Sequence, residues 1–271
     1  MRGEFLDLQG YRLYYYAAGT RGVGEPVLFL HGFPSSSHLW HDVVRHMPDG
    51  HRLIILDQLG YGRSDRPGSA DLSVAGHGCR ALAVLDTLNV PAACVVGHDL
   101  GGGIAQWLAV HAPERVTRLA LVNSVGLDGW PRRRTRVARA LRPLARWLPA
   151  PLLAGEAYAS LVRGFSDRDT GRHALDQFLR PFAQTAGRDA LLAHLAAQRA
   201  DDTDALALEA IRAPTVVMHG THDPFVPAAV ARRLHAAIPG ATLDLVAHGR
   251  HFLPLDAPDH VAAAVAAVLA R

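Results

Sequence analysis

Residues 94–105 read Cys94-Val95-Val96-Gly97-His98-Asp99-Leu100-Gly101-Gly102-Gly103-Ile104-Ala105. An apolar run, a glycine-rich turn and a second apolar run follow one another, which predicts a strand, a sharp turn and a helix. Gly97 and Gly101 stand two positions before and after Asp99, the glycine spacing of a nucleophile elbow. Glycines suit such a strained turn because they lack Cβ, and the start of the following helix stabilises negative charge. The stretch therefore predicts that a tight turn presents the Asp99 carboxylate.

Buried strands alternate with helices on both sides of this turn. A β-hairpin is predicted over 4–16, and continuous apolar runs follow at 27–30, 53–56, 92–96 and 119–122. Longer segments with helical periodicity separate these runs, which is typical of βαβ units with a parallel sheet covered on both faces. Between 127 and 210 the periodicity is only helical. Strand signals resume at 215–218 and 242–246, and a last amphipathic helix is predicted over 259–269.

Other short motifs end the neighbouring strands. His31-Gly32-Phe33-Pro34 follows the first buried run, and the glycine-rich turn 57–65 follows the second. Asp223 lies in the segment 219–227 after a strand, and His251 follows the last strand within 249–252. A G-x-D-x-G match alone is weak, but four motifs in this order are much more specific.

With these motifs the chain resembles α/β-hydrolase-fold enzymes over essentially its whole length. The resemblance implies a mostly parallel sheet with helices on both faces and a helical cap inserted after strand 6. Residues 1–126 and 213–271 would then form the α/β core, and residues 127–212 the cap, or lid. It also implies that Asp99, Asp223 and His251 form a catalytic triad. The backbone N–H groups of Phe33 and Leu100 would form the oxyanion hole.

Asp99 stands where esterases and lipases of this fold carry serine. A carboxylate that attacks an acyl carbon would give a mixed anhydride, so simple ester hydrolysis is disfavoured. A carboxylate suits attack at a saturated carbon that bears a leaving group, which forms an alkyl ester of the enzyme. Water activated by His251 would then hydrolyse that ester, while Asp223 orients His251. The resemblance therefore narrows to the aspartate-nucleophile branch, which includes epoxide hydrolases, haloalkane dehalogenases and fluoroacetate-type dehalogenases.

The residue directly after the nucleophile, Leu100, discriminates among these three groups of enzymes. Haloalkane dehalogenases usually carry tryptophan directly after the nucleophile, and fluoroacetate-type enzymes usually carry arginine there. Epoxide hydrolases usually place tyrosines, commonly two, in the cap to protonate the opening oxygen, and the predicted cap here has one, Tyr158. We therefore favour an epoxide or a related alkyl electrophile as substrate, with a haloalkane or haloacid dehalogenase as the alternative. A biosynthetic cyclase, isomerase or dehydratase, or a non-catalytic ligand-binding module, remains open on the same fold.

Several further residues are candidates for contact with substrate. Trp130 in the cap and the turn residues His31 and His98 are assigned to substrate binding. Because the two histidines lie in turn motifs beside the site, we expect them to brace the loops and not to react. Trp147, His173 and His194 are other cap groups that could face the pocket. Asn123 occupies the other place where some relatives keep their acid, and as an amide it cannot serve as one.

Composition limits the partners. The 271 residues include 28 Lys+Arg, all arginine, against 25 Asp+Glu, a balance that excludes intrinsic disorder. No nucleotide motif or metal-ligand pattern is present, so no cofactor and no metal are predicted. Cys79 and Cys94 are interpreted as reduced thiols. We expect a cytoplasmic protein with a small, apolar substrate, without nucleic acid or integral membrane association, and the sequence leaves a homodimer open.

Seven arginines lie between Arg132 and Arg146. An apolar stripe runs through the same segment at Val137, Leu141, Leu144 and Leu148. We interpret the arginines as the solvated face of an amphipathic helix that packs on the core. Contact with an anionic membrane or attraction of acidic substrates are the alternatives.

Overall fold

The computed structural model describes residues 3–19, 24–127, 133–199 and 201–271. Its strands form one eight-stranded sheet in the order β1-β2-β4-β3-β5-β6-β7-β8. The strands are β1 Gly3–Leu8, β2 Tyr11–Gly19, β3 Val27–Leu30, β4 Arg52–Leu56, β5 Ala93–His98, β6 Val116–Val122, β7 Thr215–Gly220 and β8 Thr242–Val246. The first two strands pair antiparallel, β2 also runs antiparallel to β4, and all other neighbours are parallel. The predicted α/β fold with a mostly parallel sheet is confirmed.

The predicted hairpin at the start of the chain is confirmed. Gln9 and Gly10 connect its strands, and both have positive φ, 55° and 83°. Two successive residues with positive φ form the tight turn whose twist matches a β-hairpin. The register pairs Leu8 with Tyr11 and Gly3 with Tyr16.

Helices cover the sheet and fill the connections. They are α1 His41–His46, α2 Val74–Thr87, α3 Leu100–His111, α4 Arg133–Ala140, α5 Arg142–Ala145, α6 Ala150–Leu161, α7 Arg168–Leu179, α8 Thr185–Ala197, α9 Asp201–Asp204, α10 Ala228–Ala237, α11 Leu253–Asp256 and α12 Pro258–Leu269. None of them, within the described part of the chain, is long and apolar enough to cross a membrane.

The core has two apolar layers, one on each face of the sheet. Leu28 and Leu30 pack into the layer that includes residues of α2, α3 and α10, whereas Val27 and Phe29 pack into the layer that includes residues of α1 and α12. Successive side chains of a strand point to opposite faces, so burial on both faces requires the continuous apolar run seen in the sequence. Each of these four residues is fully buried.

Helices α4 to α9 lie between β6 and β7, where the sequence predicted helical periodicity without strands. Part of this insertion packs on the core, because Phe178 and Phe182 belong to the same apolar layer as Trp40 and Phe252. We propose that residues 127–212 are the cap and that 1–126 and 213–271 are the core, with these boundaries still a prediction.

Candidate active site

The predicted site residues follow the carboxyl ends of neighbouring parallel strands. Phe33 follows β3, Asp99 follows β5, Asp223 follows β7, and His251 follows β8. The carboxyl ends of parallel strands meet at one edge of a sheet, which is where ligands bind in open α/β folds. The fold therefore brings together side chains that are up to 218 positions apart, the separation of Phe33 from His251.

Asp99 lies on a tight turn between β5 and α3. Its backbone has φ 49° and ψ −118°, a conformation that residues other than glycine rarely adopt. A Cβ at Gly97 would collide with the carbonyl of Gly101, and a Cβ at Gly101 would collide with the carbonyl of Leu30. Both glycines that define the sequence motif are therefore required by close backbone packing. This turn holds the Asp99 carboxyl group at the start of α3.

The Asp99 carboxyl group points at backbone donors. Its Oδ2 accepts a hydrogen bond of 3.0 Å from the N–H of Phe33. Burial raises the pKa of Asp99 above its usual value, although the charge of His251 and the N–H groups of Leu100 and Phe33 act to lower it. A Cβ at Gly32 would lie 2.6 Å from Oδ2, so that glycine leaves room for the carboxyl group.

His251 and Asp223 form a buried pair beside Asp99. Nδ1 of His251 lies 2.8 Å from Oδ2 of Asp223. Oδ1 of Asp223 accepts hydrogen bonds from the N–H groups of Phe225 and Val226, at 2.7 and 3.0 Å. Burial acts to raise the pKa of Asp223, but the charge and hydrogen bond of His251 lower it overall, and His219 and Asn123 add to this effect. Asp223 is therefore ionised at neutral pH and can orient the imidazole.

The same contact sets the basicity of His251. Burial alone would lower the pKa of His251, but the Asp223 charge and hydrogen bond raise it above its usual value, and the Asp99 charge adds to this effect. The imidazole thus lies between two carboxyl groups and can accept a proton while it remains held by Asp223.

Two residues that sequence reasoning did not assign to the site hold Asp223. Nδ2 of Asn123 donates to Asp223 Oδ2 at 2.8 Å and to the carbonyl of Arg250 at 3.1 Å. Nε2 of His219 lies 3.6 Å from the same Oδ2 while it donates to the carbonyl of Val226. The one signal in the sequence is a polar residue directly after each of two buried apolar runs. From the sequence, Asn123 was considered only as an amide that cannot serve as the acid of the triad.

For His31 the geometry supports the bracing role and not the assignment to substrate binding. Nδ1–H of His31 donates to the carbonyl of Gly32, and Nε2 accepts from the N–H of Gln58. Both ring nitrogens are therefore used by the backbone, so His31 braces two turns and does not offer a hydrogen bond to substrate. Burial lowers its pKa, which fits a neutral ring in this arrangement.

His98 lies beside His251. Its Nε2–H donates to the carbonyl of His251 at 2.9 Å, and the two rings are 4.8 Å apart. This contact fixes the backbone that carries His251. The assignment of His98 to substrate binding stays a prediction.

Tyr61 was not predicted as a site residue. It is fully buried in the glycine-rich turn after β4, and its ring packs edge-on against Phe33 and His31. Burial and the nearby Asp99 charge raise its pKa well above the usual value. Its hydroxyl group has no hydrogen-bond partner within the described part of the chain. Tyr61 therefore places a protonated, unpaired hydroxyl group near Asp99.

The predicted cap residues differ in position. Tyr158 is half-buried and packs on the core layer that contains Phe252. Trp147 is 76% exposed, which corrects the hypothesis that it faces the pocket. His194 is buried and stacks on Tyr61 with ring centroids 3.8 Å apart.

His173 is exposed, and its ring lies 6.4 Å from that of His38. Trp130 lies outside the described residues. Among the residues that the structure does describe, no three His, Cys, Asp or Glu side chains are grouped as metal ligands.

Comparison with known proteins identifies the class. The alpha/beta hydrolase fold family matches residues 25–258, so the chain belongs to this family. It is 32% identical to the putative carbamate hydrolase RutD of Variovorax paradoxus over 84% of this chain and 85% of that protein.

Two further similarities bear on the site. The chain is 35% identical to the cis-3-alkyl-4-alkyloxetan-2-one decarboxylase of Shewanella oneidensis over 60% of this chain and 48% of that protein. A crystal structure of an alpha/beta hydrolase fold protein from Burkholderia ambifaria superposes with a TM-score of 0.86 and 26% identity, over 99% of this chain and 97% of that one. Together, the family match and these relatives make the chain a hydrolase of the alpha/beta fold.

Proposed function

We propose that this hydrolase opens an epoxide, or a related alkyl electrophile, through a covalent ester of Asp99. The observation that carries the proposal is a buried carboxylate at the elbow, with Oδ2 held 3.0 Å from the Phe33 N–H. In the first step an Asp99 oxygen attacks a saturated carbon of the epoxide, and the C–O bond of the ring breaks. The electron pair goes to the ring oxygen, which takes a proton from a nearby acid.

The second step hydrolyses the ester. His251 removes a proton from water, and the hydroxide oxygen attacks the carboxyl carbon of Asp99. The N–H groups of Phe33 and Leu100 stabilise the resulting oxyanion, an interaction worth on the order of 3 kcal/mol for each donor in comparable sites. The bond to the alkoxy oxygen then breaks, His251 gives its proton to that oxygen, and the product leaves as a diol. The proton of the new Asp99 carboxylic acid restores the acid used in the first step. Asp223 holds the imidazolium throughout.

Tyr61 is our first candidate for the acid that protonates the opening oxygen. Its hydroxyl group is buried and has no hydrogen-bond partner among the described residues, and the nearby Asp99 charge adds to the effect of burial in raising its pKa. Tyr158 remains the second candidate, because it is half-buried in the helical insertion. Leu100 cannot donate from its side chain to a halide, which favours the epoxide over a haloalkane or haloacid.

The decarboxylase relative favours a second candidate substrate class. Its name describes an oxetan-2-one, a strained four-membered lactone. Attack of a carboxylate at the saturated ring carbon of such a lactone would form the same Asp99 ester and release a carboxylate without prior protonation. The two substrate classes share a strained oxygen ring, so the same first step serves both.

A substrate panel tests the proposed function. We expect the wild-type protein to convert apolar epoxides to diols, and to process haloalkanes or oxetanones more slowly, as measured by product mass and halide release. Carboxylic esters should give no burst of acyl-enzyme. Turnover of esters or carbamates, with no product from any strained ring or haloalkane, would overturn the proposal in favour of acyl transfer.

The change Tyr61→Phe removes the proposed acid and keeps the ring packing. We expect the rate of epoxide opening to fall about 100-fold, a typical contribution of general acid catalysis. Opening of a haloalkane should change little, because halide leaves without a proton. The measurement is single-turnover formation of the Asp99 ester with each substrate.

Tyr16→Phe is the matched control for this prediction. Tyr16 is also buried, and its hydroxyl group also has no hydrogen-bond partner within the described residues, but it lies on β2. The control should keep full activity with both substrates. An equal loss of both reactions in Tyr61→Phe would show a packing role and contradict proton donation.

The pH dependence of ester hydrolysis follows from His251. The base must be neutral, and Asp223 raises the pKa of His251 above its usual 6.5. We therefore expect hydrolysis of the ester to increase with pH and to reach half its maximum above pH 6.5. In Asp223→Asn the midpoint should move to lower pH, because the charge that raises the pKa is gone, and the rate should fall about 100-fold or more. A pH-independent decay of the ester in the wild-type protein would contradict this role.

A further inference from the structure

Most of the exposed large apolar side chains lie on one surface of the helical insertion. Leu144 is 69% and Trp147 76% exposed, and among the exposed large apolar residues of the described part of the chain only Phe5, at 45%, lies outside the insertion. We call this the 137–152 surface; its apolar members are Val137, Leu141, Leu144, Trp147, Leu148 and Leu152. Exposed apolar side chains that cluster in this way mark an interaction site.

Four of these apolar residues, Val137, Leu141, Leu144 and Leu148, share one helical face. The N–H of Leu141 donates to the carbonyl of Val137, and the N–H of Ala145 donates to the carbonyl of Leu141, so α-helical bonding continues from α4 into α5. Residues at i, i+4, i+7 and i+11 lie along one side of such a helix. The structure therefore corrects the expectation that this stripe packs on the core, because the stripe is exposed.

Positive charge accompanies the apolar side chains. Arg136, Arg142 and Arg146 are exposed, and none of them has an ion-pair partner within the described residues. The sequence contains no Asp or Glu from 129 to 155, so no acidic residue of this segment neutralises them. The guanidinium of Arg146 lies 4.8 Å from the ring centroid of Trp147, so a positive charge is in contact with the most exposed apolar side chain of this surface.

We propose that the 137–152 surface docks on a membrane of anionic phospholipid. A helix with apolar side chains on one face and arginines beside them lies in the headgroup region, with its apolar face at the acyl chains. Tryptophan favours that interface because its ring is amphipathic, and arginine is attracted by phosphate groups. The contact is peripheral and does not require a spanning helix.

A second copy of the chain fits this surface less well. A symmetric dimer places the same patch on both sides of the interface, so the arginines of one copy would face those of the other. Anionic headgroups supply the negative charge that the segment lacks. Charge complementarity therefore selects the lipid surface, and this inference does not depend on the proposed reaction.

Vesicle flotation tests the proposal with the full chain. Vesicles of phosphatidylcholine with an equal amount of phosphatidylglycerol should bind the protein at least tenfold more strongly than vesicles of phosphatidylcholine alone. Added salt should weaken binding, because it screens the charges. The triple change Arg136→Gln, Arg142→Gln, Arg146→Gln should lower the affinity for the anionic vesicles at least tenfold. The double change Leu144→Ser, Trp147→Ser should lower it by a similar factor.

The controls carry changes of the same kind elsewhere in the chain. Arg168→Gln, Arg172→Gln and Arg232→Gln remove three exposed arginines outside the surface, and Phe5→Ser removes an exposed aromatic residue on β1. Both should bind like the wild-type protein. Equal losses in test and control variants, or no flotation with either lipid, would overturn the proposal. So would a dimer in sedimentation equilibrium that dissociates in Trp147→Ser, because a second copy would then cover the surface.

Discussion

Replacement of Asp99 by asparagine is expected to lower turnover of the epoxide substrate by at least about 10⁴-fold, because an amide is not a nucleophile at carbon. Asparagine has the size and shape of the aspartate side chain, so it adds no steric demand at this backbone position, where φ is 49° and ψ is −118°. Burial raises the pKa of Asp99, so loss of the charge removes a desolvation cost. The melting temperature should therefore not decrease, and steady-state kinetics with thermal unfolding measure both effects.

Asp49→Asn is the control for this change. Asp49 is exposed and precedes β4, at the sheet edge opposite to the site, so the control should retain full activity. Residual turnover above one hundredth of wild type in Asp99→Asn would contradict a nucleophilic role. Such a result would favour a protein in which Asp99 only binds or polarises the substrate.

The change His251→Gln is expected to separate the two chemical steps. Asp99 can still attack, because its Oδ2 contact with the Phe33 N–H does not involve His251. Hydrolysis lacks its base and should slow by about 10⁴-fold, the upper range for general base catalysis. The protein should release less than one equivalent of product and accumulate the ester. Mass analysis of the peptide that contains Asp99 measures the adduct for each epoxide or haloalkane.

His248→Gln is the matched control for His251→Gln. His248 is exposed and stacks on His222 with ring centroids 5.1 Å apart, three positions from His251. Its replacement should leave turnover unchanged and give no adduct. If His251→Gln gave no adduct with any electrophile while the wild-type protein remained active, the covalent mechanism would be wrong.

The fold was predictable because its signals are local. Continuous apolar runs identified the strands buried on both faces, such as Val27–Leu30, and glycines at 97 and 101 identified the turn at Asp99. These glycines are required by close backbone contacts, so a short motif carries the geometry. Asp223 and His251 were assigned by the resemblance to α/β-hydrolase-fold enzymes, on motifs that follow β7 and β8.

Features that depend on distant contacts were not predictable. Asn123 holds Asp223 from 100 positions away, and the sequence shows only an amide at a strand end. In the sequence, Tyr61 looks like an ordinary core residue. Only the packed structure shows that its hydroxyl group lies near Asp99 without a hydrogen-bond partner among the described residues. The turn motif predicted that His31 braces the loops, but the backbone groups of Gly32 and Gln58 that bind its two nitrogens become visible only in the fold. Trp147 was expected to be able to face the pocket, yet its side chain is 76% exposed.

A single turnover in H₂¹⁸O tests most directly the claim that Asp99 forms an ester with the substrate. The wild-type protein, in excess over an epoxide, is allowed to react once, and the product and the peptide that contains Asp99 are then analysed by mass spectrometry. We predict that the heavy oxygen appears in the Asp99 carboxyl group, while the diol carries an ordinary oxygen taken from that carboxylate. Heavy oxygen in the diol, with none in Asp99, would show direct attack of water on the substrate and would contradict the ester intermediate.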